Sequence, residues 1–403
     1  MRELDAAGVV PSSIFMTRVV RLGMHSGLVC GWLACWLSSG FALGAQGLVI
    51  EETFLTVEIR SETYSLEALV VKELGNGPKL PIALITHGQA RDFEQREKLT
   101  ARAHLRTARE FARRGWLAVV VVRRGFGRSG GKHPYVLPGC RNGDYAASLD
   151  AQTDDLEAAI KVVSRRNDAD GTQVVALGMS VGGAAVLNLA ARQPEGLKAA
   201  INVSGGIRTA PRGEPSQETC KPEDLVTFFA ALGRRSRLPT LWLYAENDSV
   251  FPAEYARQLH EAYVGEGGRT EFHMFDAIGT EGHDMFGHPD GMLRWIPVLD
   301  RFLLARRLKT FDPNPVEASL RQLSLGPSAR QAIIRYKGRP TEKALAVSRS
   351  NRIVYTQFGG ADLEETERLA LEKCTEKAQE PCRIVIRNFQ LAEEPEARPA
   401  GLN

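Results

Sequence analysis

Apolar and polar residues alternate in the first stretches that follow residue 50. In 55–60 and in 65–71, apolar residues recur in the manner of strands that are exposed on one face. The two stretches predict an antiparallel pair of strands that opens a sheet.

Runs that are apolar at nearly every position predict buried strands further along the chain. These runs lie at 80–86, 116–122, 174–179, 197–204, 240–244 and 270–275. Helical patterns lie between and after them, at 98–113, 144–166, 184–191, 224–232, 253–264 and 295–308. The last helix would hold Pro297 in its first turn, where a proline is tolerated.

This alternation of strands and helices over 46–308 predicts an α/β fold with a doubly wound, mostly parallel sheet. Ligands bind beyond the carboxyl ends of the strands in such sheets. We therefore expect the functional residues at that edge.

A second, smaller domain is expected after a linker. Residues 309–340 carry four prolines among mixed polar residues. The segment 341–394 predicts a hairpin, a helix that Asp362 and Glu365 begin as a capping pair, and a last strand from Cys382. We expect a small α+β domain there, which could flank the active-site cleft, and a disordered tail over 395–403.

The amino terminus has the pattern of a signal peptide over residues 1–45. Arg18 and Arg21 precede an uncharged apolar run at 28–41, and small residues at 42–45 would allow cleavage. The first 15 residues do not fit this pattern, so translation could begin at Met16 or Met24 instead. The expected location is periplasmic or secreted. The alternative is an uncleaved segment that anchors the protein in the membrane.

Composition and charge exclude some classes of protein. Of 403 residues, 43% are hydrophobic and 25% are charged, as in folded globular proteins, and the formal net charge is only +3. This small and scattered charge gives no indication of a nucleic-acid partner. Since no cluster of cysteine and histidine has the spacing of zinc ligands, we expect neither a metal nor a cofactor.

Four cysteines remain if the signal peptide is removed, and an even number in an exported chain indicates disulfides. They are Cys140, Cys220, Cys374 and Cys382. We favour the pair Cys374–Cys382, whose members are close in sequence, and the pair Cys140–Cys220, whose members lie in separate loops after strands. Free buried thiols are the alternative.

The candidate nucleophile is Ser180, in the sequence GMSVG at 178–182. It follows an apolar strand and precedes an alanine-rich helix, which is the context of a nucleophile elbow. The sequence GRSGG at 127–131 has the same pattern around Ser129. Two prolines shortly after it prevent a helix from following, so context favours Ser180.

A serine hydroxyl needs a base, and the base needs a carboxylate that orients it. Asp248 follows a buried strand directly, with Glu246 as the alternate acid. His283 lies after the last strand of the sheet and before the last helix, with His288 as runner-up for the base. The order serine, acid, histidine is the one expected in this kind of sheet.

The oxyanion of the tetrahedral intermediate needs fixed donors. We expect the backbone N–H groups of Val181, directly after the nucleophile, and of Gln89, in the loop after an earlier strand. His87 precedes this donor and is predicted to be structural, and His273 lies inside a strand.

Residues 50–308 resemble an exported α/β-hydrolase, close to the dienelactone-hydrolase and serine-aminopeptidase-like branches. The resemblance rests on HGQ at 87–89, RGFGRS at 124–129, GMSVGG at 178–183, Asp248 and GH at 282–283. Dienelactone hydrolases proper use a cysteine nucleophile where this chain has Ser180, so their particular reaction is not implied. Many relatives carry aspartate where this chain has Arg123. The segment 341–394 is similar to small secreted domains with a paired-cysteine helix and strand.

The expected activity is hydrolysis of a carboxylic ester through an acyl-enzyme on Ser180, with a small-molecule or peptide substrate. Peptidase, amidase or acyltransferase chemistry would use the same three residues. A rival of another class is a non-catalytic protein that binds the cell envelope on a hydrolase scaffold.

Overall fold

A computed structural model describes residues 47–89, 93–133, 144–207, 222–311, 327–360 and 362–392. The predicted signal peptide at 1–45, the cysteines Cys140 and Cys220, and the predicted tail at 395–403 lie outside the described residues. Within the ranges described, no helix is both long enough and apolar enough to cross a membrane.

The larger domain is built on a sheet of eight strands. The strands are β1 (Leu48–Ile59), β2 (Glu62–Glu73), β3 (Leu80–Thr86), β4 (Leu117–Val121), β5 (Ala169–Met179), β6 (Leu197–Val203), β7 (Thr240–Ala245) and β8 (Thr270–Phe275). The helices are α1 (Phe93–Lys98), α2 (Leu105–Arg113), α3 (Tyr145–Val163), α4 (Val181–Arg192), α5 (Pro222–Arg235), α6 (Ala253–Gly265) and α7 (Pro289–Ala305), with 3-10 turns at Ala101–His104 and Gly282–Asp284.

The spatial order of the strands is β1-β2-β4-β3-β5-β6-β7-β8. The first hairpin is antiparallel, β2 pairs with β4 in the antiparallel sense, and β3 to β8 are parallel. This arrangement confirms the predicted doubly wound, mostly parallel sheet, and it brings the carboxyl ends of β3, β5, β6, β7 and β8 to one edge.

The apolar runs reflect burial of both faces of the sheet. In β4, Leu117, Val119 and Val121 belong to the core on one face, whereas Ala118 and Val120 belong to the core on the other. All five are fully buried. A strand that helices cover on both faces must be apolar at every position. For this reason β4 lacks the alternation of apolar and polar residues that is seen in β1.

The prediction for the last helix of this domain was wrong at its beginning. α7 begins at Pro289 rather than at 295, so that Pro297 lies inside the helix and not in its first turn. The His288 side chain caps the amino terminus by accepting a hydrogen bond from Asp290 N (3.2 Å). A side-chain cap followed by proline at the first position begins the helix two turns earlier than the apolar pattern indicates.

The smaller domain has its own sheet of four strands. Its elements are α8 (Pro327–Lys337), β9 (Lys343–Ser348), β10 (Val354–Phe358), α9 (Leu363–Ala378), β11 (Cys382–Arg387) and β12 (Gln390–Leu391), and the strand order is β10-β9-β11-β12. The two helices cover opposite faces of β9, with Tyr336 of α8 packed near Leu345 and Ala370 of α9 packed near Ala346. α8 lies in the stretch that the sequence assigns to the linker.

Cys374 of α9 and Cys382 of β11 form a disulfide, as the sequence predicts. Asp362 caps α9 by accepting a hydrogen bond from Glu365 N (2.8 Å). Because the two cores of this domain are small, a covalent link from helix to strand adds to its stability.

The smaller domain docks through buried ionic contacts, and residues 44–403 form one compact unit. Arg113, at the end of α2, donates from Nε (2.9 Å) and Nη2 (2.6 Å) to Glu342 Oε1. The Glu110 carboxylate accepts from Thr341 N (2.6 Å), and the Arg114 guanidinium lies 4.6 Å from the centre of the Phe389 ring.

These contacts lie at the end of α2 that leads into the amino end of β4. Since the predicted catalytic residues lie at the carboxyl ends of the strands, these contacts lie at the opposite edge of the sheet. The expectation that the smaller domain flanks the cleft stays a prediction.

Candidate active site

Ser180 lies on a sharp turn between β5 and α4. Its backbone angles are φ 55° and ψ −126°, a combination that residues other than glycine rarely adopt. Such a conformation costs about 1–3 kcal/mol and persists only where the surroundings enforce it. Here Ser180 N donates to Val203 O (2.9 Å), and Ser180 O accepts from Gly206 N (3.2 Å). The turn is thus held by the neighbouring strand β6 and the loop after it.

The glycines beside Ser180 are required by close backbone contacts. A Cβ atom on Gly178 would lie 2.1 Å from Gly182 O, and one on Gly182 would lie 2.3 Å from His87 O. Neither backbone can move without displacing the turn or the loop after β3. This is the physical basis of the pattern around Ser180.

The second serine with the same pattern is used differently. Ser129 is buried, its Oγ donates to Val122 O (2.7 Å), and the same Oγ accepts from Glu67 N (2.8 Å). Its hydroxyl therefore links the end of β4 to β2, and it is engaged in structural hydrogen bonds.

Asp248 and His283 lie in contact. Nδ1 of His283 is 3.1 Å from both carboxylate oxygens of Asp248, whose side chain is fully buried. Asp248 Oδ1 also accepts from the N–H groups of Val250 and Phe251, each at 2.9 Å. An acceptor fixed in this way holds the imidazole with its proton on Nδ1 and leaves Nε2 on the opposite side of the ring as the basic nitrogen.

The alternates for acid and base lie elsewhere. Glu246 is exposed, and the carboxylate in contact with His283 is that of Asp248. His288 caps α7, and its ring lies beside Gly279. His273 lies within β8, where its ring stacks with Phe275.

A chain of contacts connects Ser180 with His283. Gly206, which donates to Ser180 O, lies directly against Phe251, since a Cβ on Gly206 would be 2.3 Å from that ring. The Phe251 ring is in turn 5.6 Å from the His283 ring, centre to centre. The three predicted catalytic residues thus follow β5, β7 and β8 at one edge of the sheet, and their catalytic roles stay a prediction.

Glu281 is a functional candidate that the sequence analysis missed. Its carboxylate accepts from His283 N (2.9 Å) and from Ser249 N (3.1 Å), and so it joins the loop of the base to the loop of the acid. Burial alone would raise the pKa of Glu281, but the hydrogen bonds from Ser249 and His283 outweigh it and lower the pKa. The position of Glu281 two residues before His283 was the only signal in the sequence.

The loop after β3 lies beside Ser180. A Cβ on Gly88 would be 3.0 Å from Ser180 Cβ and 3.6 Å from Ser180 Oγ. Gln89 follows in the same loop with an exposed side chain, and Val181 is the first residue of α4. The two predicted oxyanion donors therefore lie on the two segments that border the serine.

His87 is buried beneath this loop. Its Nε2 accepts from Arg123 N (3.0 Å), and its Nδ1 donates to Gly88 O (2.7 Å). Burial, and then the nearby charge of Arg123, hold the pKa of His87 well below its ordinary value. The imidazole is thus neutral and has a structural function, as predicted.

A known protein family matches part of this chain. Residues 98–232 match the family described as serine aminopeptidase, S33. No curated protein matches the chain.

Three solved structures illustrate the likeness. An esterase from Pyrococcus furiosus is 16% identical, with a TM-score of 0.45, over 64% of this chain and 93% of its own. An acetyl xylan esterase from Paenibacillus sp. R4 is 18% identical, with a TM-score of 0.44, over 63% of this chain and 85% of its own. An acylaminoacyl peptidase from Pyrococcus horikoshii is 17% identical, with a TM-score of 0.43, over 65% of this chain and 43% of its own.

Proposed function

We propose that this chain, a serine hydrolase with an α/β-hydrolase domain, cleaves carboxylic esters through an acyl-enzyme on Ser180. The observation that carries the proposal is the Asp248–His283 contact at 3.1 Å, on the same sheet edge as a serine held at φ 55°. An oriented imidazole on the same sheet edge as a strained serine turn is the arrangement expected to activate a hydroxyl group.

In the proposed reaction His283 Nε2 takes the proton of Ser180 Oγ as that oxygen bonds to the ester carbonyl carbon. The carbonyl electron pair moves to oxygen, which the N–H groups of Val181 and Gln89 stabilise. The carbon–oxygen bond to the leaving alcohol then breaks, and His283 gives its proton to that alcohol. Water repeats the sequence on the acyl-enzyme and releases the acid.

Peptide or amide substrates are the second candidate. The specific observation in their favour is the match of residues 98–232 to a family described as a serine aminopeptidase. An amide would form the same acyl-enzyme, but its leaving amine must be protonated as the carbon–nitrogen bond breaks. A pair of substrates with one acyl group, one an ester and the other an anilide, would distinguish the two activities.

We also propose that the protein functions in the periplasm or outside the cell. The Cys374–Cys382 disulfide supports this location, because such bonds persist in oxidising compartments. The signal-peptide pattern over residues 1–45 supports it independently. Fractionation of cells that express the full chain, with amino-terminal sequencing of the mature protein, would test it.

The central experiment is labelling with a fluorophosphonate, detected by intact mass. We expect one adduct on the wild-type protein and on Ser129→Ala, and none on Ser180→Ala. Ser129→Ala is the matched control because it removes the other serine of the same pattern. If the folded wild-type protein gains no adduct, the proposed enzyme is wrong and a binding protein on a hydrolase scaffold becomes the better interpretation.

A further inference from the structure

Arg123 lies beneath the loop that carries the predicted oxyanion donor Gln89. Its side chain is fully buried at the end of β4. Nη1 donates to Thr86 Oγ1 (2.6 Å) and to His87 O (2.6 Å), and Nη2 donates to Gly88 O (3.3 Å). One guanidinium group thus holds two successive backbone carbonyls of this loop.

The same guanidinium group lies against the nucleophile elbow. A Cβ on Gly182, in the first turn of α4, would be 3.2 Å from Arg123 Nη1 and 2.3 Å from His87 O. On its other side the loop meets Ser180, because a Cβ on Gly88 would be 3.0 Å from Ser180 Cβ. The loop after β3 is therefore enclosed between Arg123 and the serine.

The orientation of the Gly88–Gln89 peptide follows from these contacts. Gly88 O is held from one side by His87 Nδ1 (2.7 Å) and by Arg123 Nη2 (3.3 Å). In a trans peptide the C=O and the following N–H point in opposite directions. Because the Gly88 carbonyl points toward Arg123 and His87, the N–H of Gln89 points away from them.

We propose that Arg123 is a positioning residue that fixes the Gln89 N–H for stabilisation of the oxyanion. This inference rests on the proposed function, since it needs Ser180 to form a tetrahedral intermediate. Arg123 itself does not contact the reacting atoms and acts through the Gly88–Gln89 peptide. Without Arg123, Gly88 O keeps only the hydrogen bond from His87 Nδ1, and the carbonyl of His87 loses its donor. We therefore expect the Gly88–Gln89 peptide to be held less firmly, so that its N–H is no longer fixed in one orientation.

Arginine is suited to this position because its planar fork presents several donors in a fixed geometry. A lysine ammonium donates hydrogen bonds from a single nitrogen and cannot hold the carbonyls of His87 and Gly88 equally well. The charge of Arg123 also contributes to the lowered pKa of His87, after burial. A neutral His87 keeps Nε2 as the acceptor for Arg123 N and Nδ1 as the donor to Gly88 O.

The test compares wild type, Arg123→Met, Arg123→Lys and Arg114→Met. Arg114 is a matched control, because it is equally buried but lies at the opposite edge of the sheet, where it pairs with Asp300. Each variant is titrated with fluorophosphonate to count active sites, and kcat and KM are then measured with an activated ester. The inhibition constant of a trifluoromethyl ketone, whose adduct carries an oxyanion, is measured in parallel.

We expect Arg123→Met to lower kcat per active site about 100-fold with little change in KM, since loss of one oxyanion donor typically costs about 10²–10³ in kcat. The inhibition constant of the ketone should rise by a similar factor, and Arg123→Lys should restore part of the loss. Arg114→Met should lower the unfolding temperature and leave turnover per active site unchanged. Unchanged turnover in Arg123→Met, or an increase in KM alone, would overturn the proposal.

A crystal structure of Arg123→Met, or of Arg123→Lys if the first variant does not fold, separates this inference from the proposed function. A rotated Gly88–Gln89 peptide supports the role of Arg123 even if wild type hydrolyses no ester. A peptide that keeps its orientation without Arg123 overturns it, whatever the activity of the enzyme.

Discussion

The Arg113–Glu342 contact offers a quantitative test of how the smaller domain is attached. The two side chains are 4% and 2% exposed, and two guanidinium nitrogens share Glu342 Oε1. Two charges about 4 Å apart at an effective dielectric constant of about 20 attract by about 4 kcal/mol, part of which desolvation offsets. Arg113 also pairs with Glu73 (2.7 Å), which retains a partner for it when Glu342 is changed.

The substitution Glu342→Gln removes the charge and one more hydrogen bond. Glu342 Oε2 accepts a hydrogen bond from Asn388 Nδ2 (2.8 Å), and Asn388 Oδ1 accepts one from Lys343 N (3.0 Å). Because Lys343 N holds Oδ1, the Asn388 amide cannot flip to accept a hydrogen bond from the glutamine NH2 group. We expect a loss of about 2 kcal/mol in the free energy of unfolding for Glu342→Gln. Arg113→Met leaves a buried carboxylate without its cation and should cost about 3–5 kcal/mol.

A double-mutant cycle isolates the interaction between the two residues. Urea unfolding is followed by tryptophan fluorescence for wild type, both single variants and the double variant, and the coupling energy should be about 2 kcal/mol. Turnover per active site should not change in any of them, because the contact lies at the edge of the sheet opposite Ser180. A coupling energy below about 0.5 kcal/mol would refute the energetic argument. A reduced kcat in the folded variants would refute the separation of this contact from the active site.

Three further predictions concern the base, the disulfide and acid stability. Asp248→Asn should lower kcat by about 10⁴ with a small change in KM, because His283 loses the acceptor that fixes its tautomer; steady-state kinetics with an ester would check this. Replacing Cys374 and Cys382 by serine opens a loop with a sequence separation of 8 residues and should cost about 2 kcal/mol of stability, measured by thermal unfolding with and without reductant. Burial, and then Arg123, lower the pKa of His104 to about 4. As the pH falls below the ordinary pKa of histidine, His104 is therefore protonated in the unfolded chain before it is protonated in the folded protein. The free energy of unfolding is fully present above that pKa and decreases on acidification toward pH 4. His104→Gln should reduce the loss between pH 7 and pH 5 by about 2 kcal/mol, and equal losses in both proteins would contradict the assignment.

Local patterns in the sequence determined the secondary structure and the order of the candidate catalytic residues. A strand such as β4, covered on both faces, must be apolar at each position, and the glycines around Ser180 are needed by the tight turn from strand to helix. Such constraints act between residues that are near in sequence, so they can be recognised without a structure. They were sufficient to predict the sheet, the elbow at Ser180 and the candidates Asp248 and His283.

The tertiary structure decided which side chains meet across loops that are far apart in sequence. Glu281 joins the loops of acid and base, Arg123 reaches the loop after β3, and Glu342 binds Arg113. An isolated charged residue has no sequence pattern that identifies its partner, because the partner is brought near only by the packing of sheet and helices. The contacts through which the smaller domain docks were undetermined for the same reason. The buried pair of Arg113 and Glu342, for example, joins residues that lie 229 positions apart in the chain.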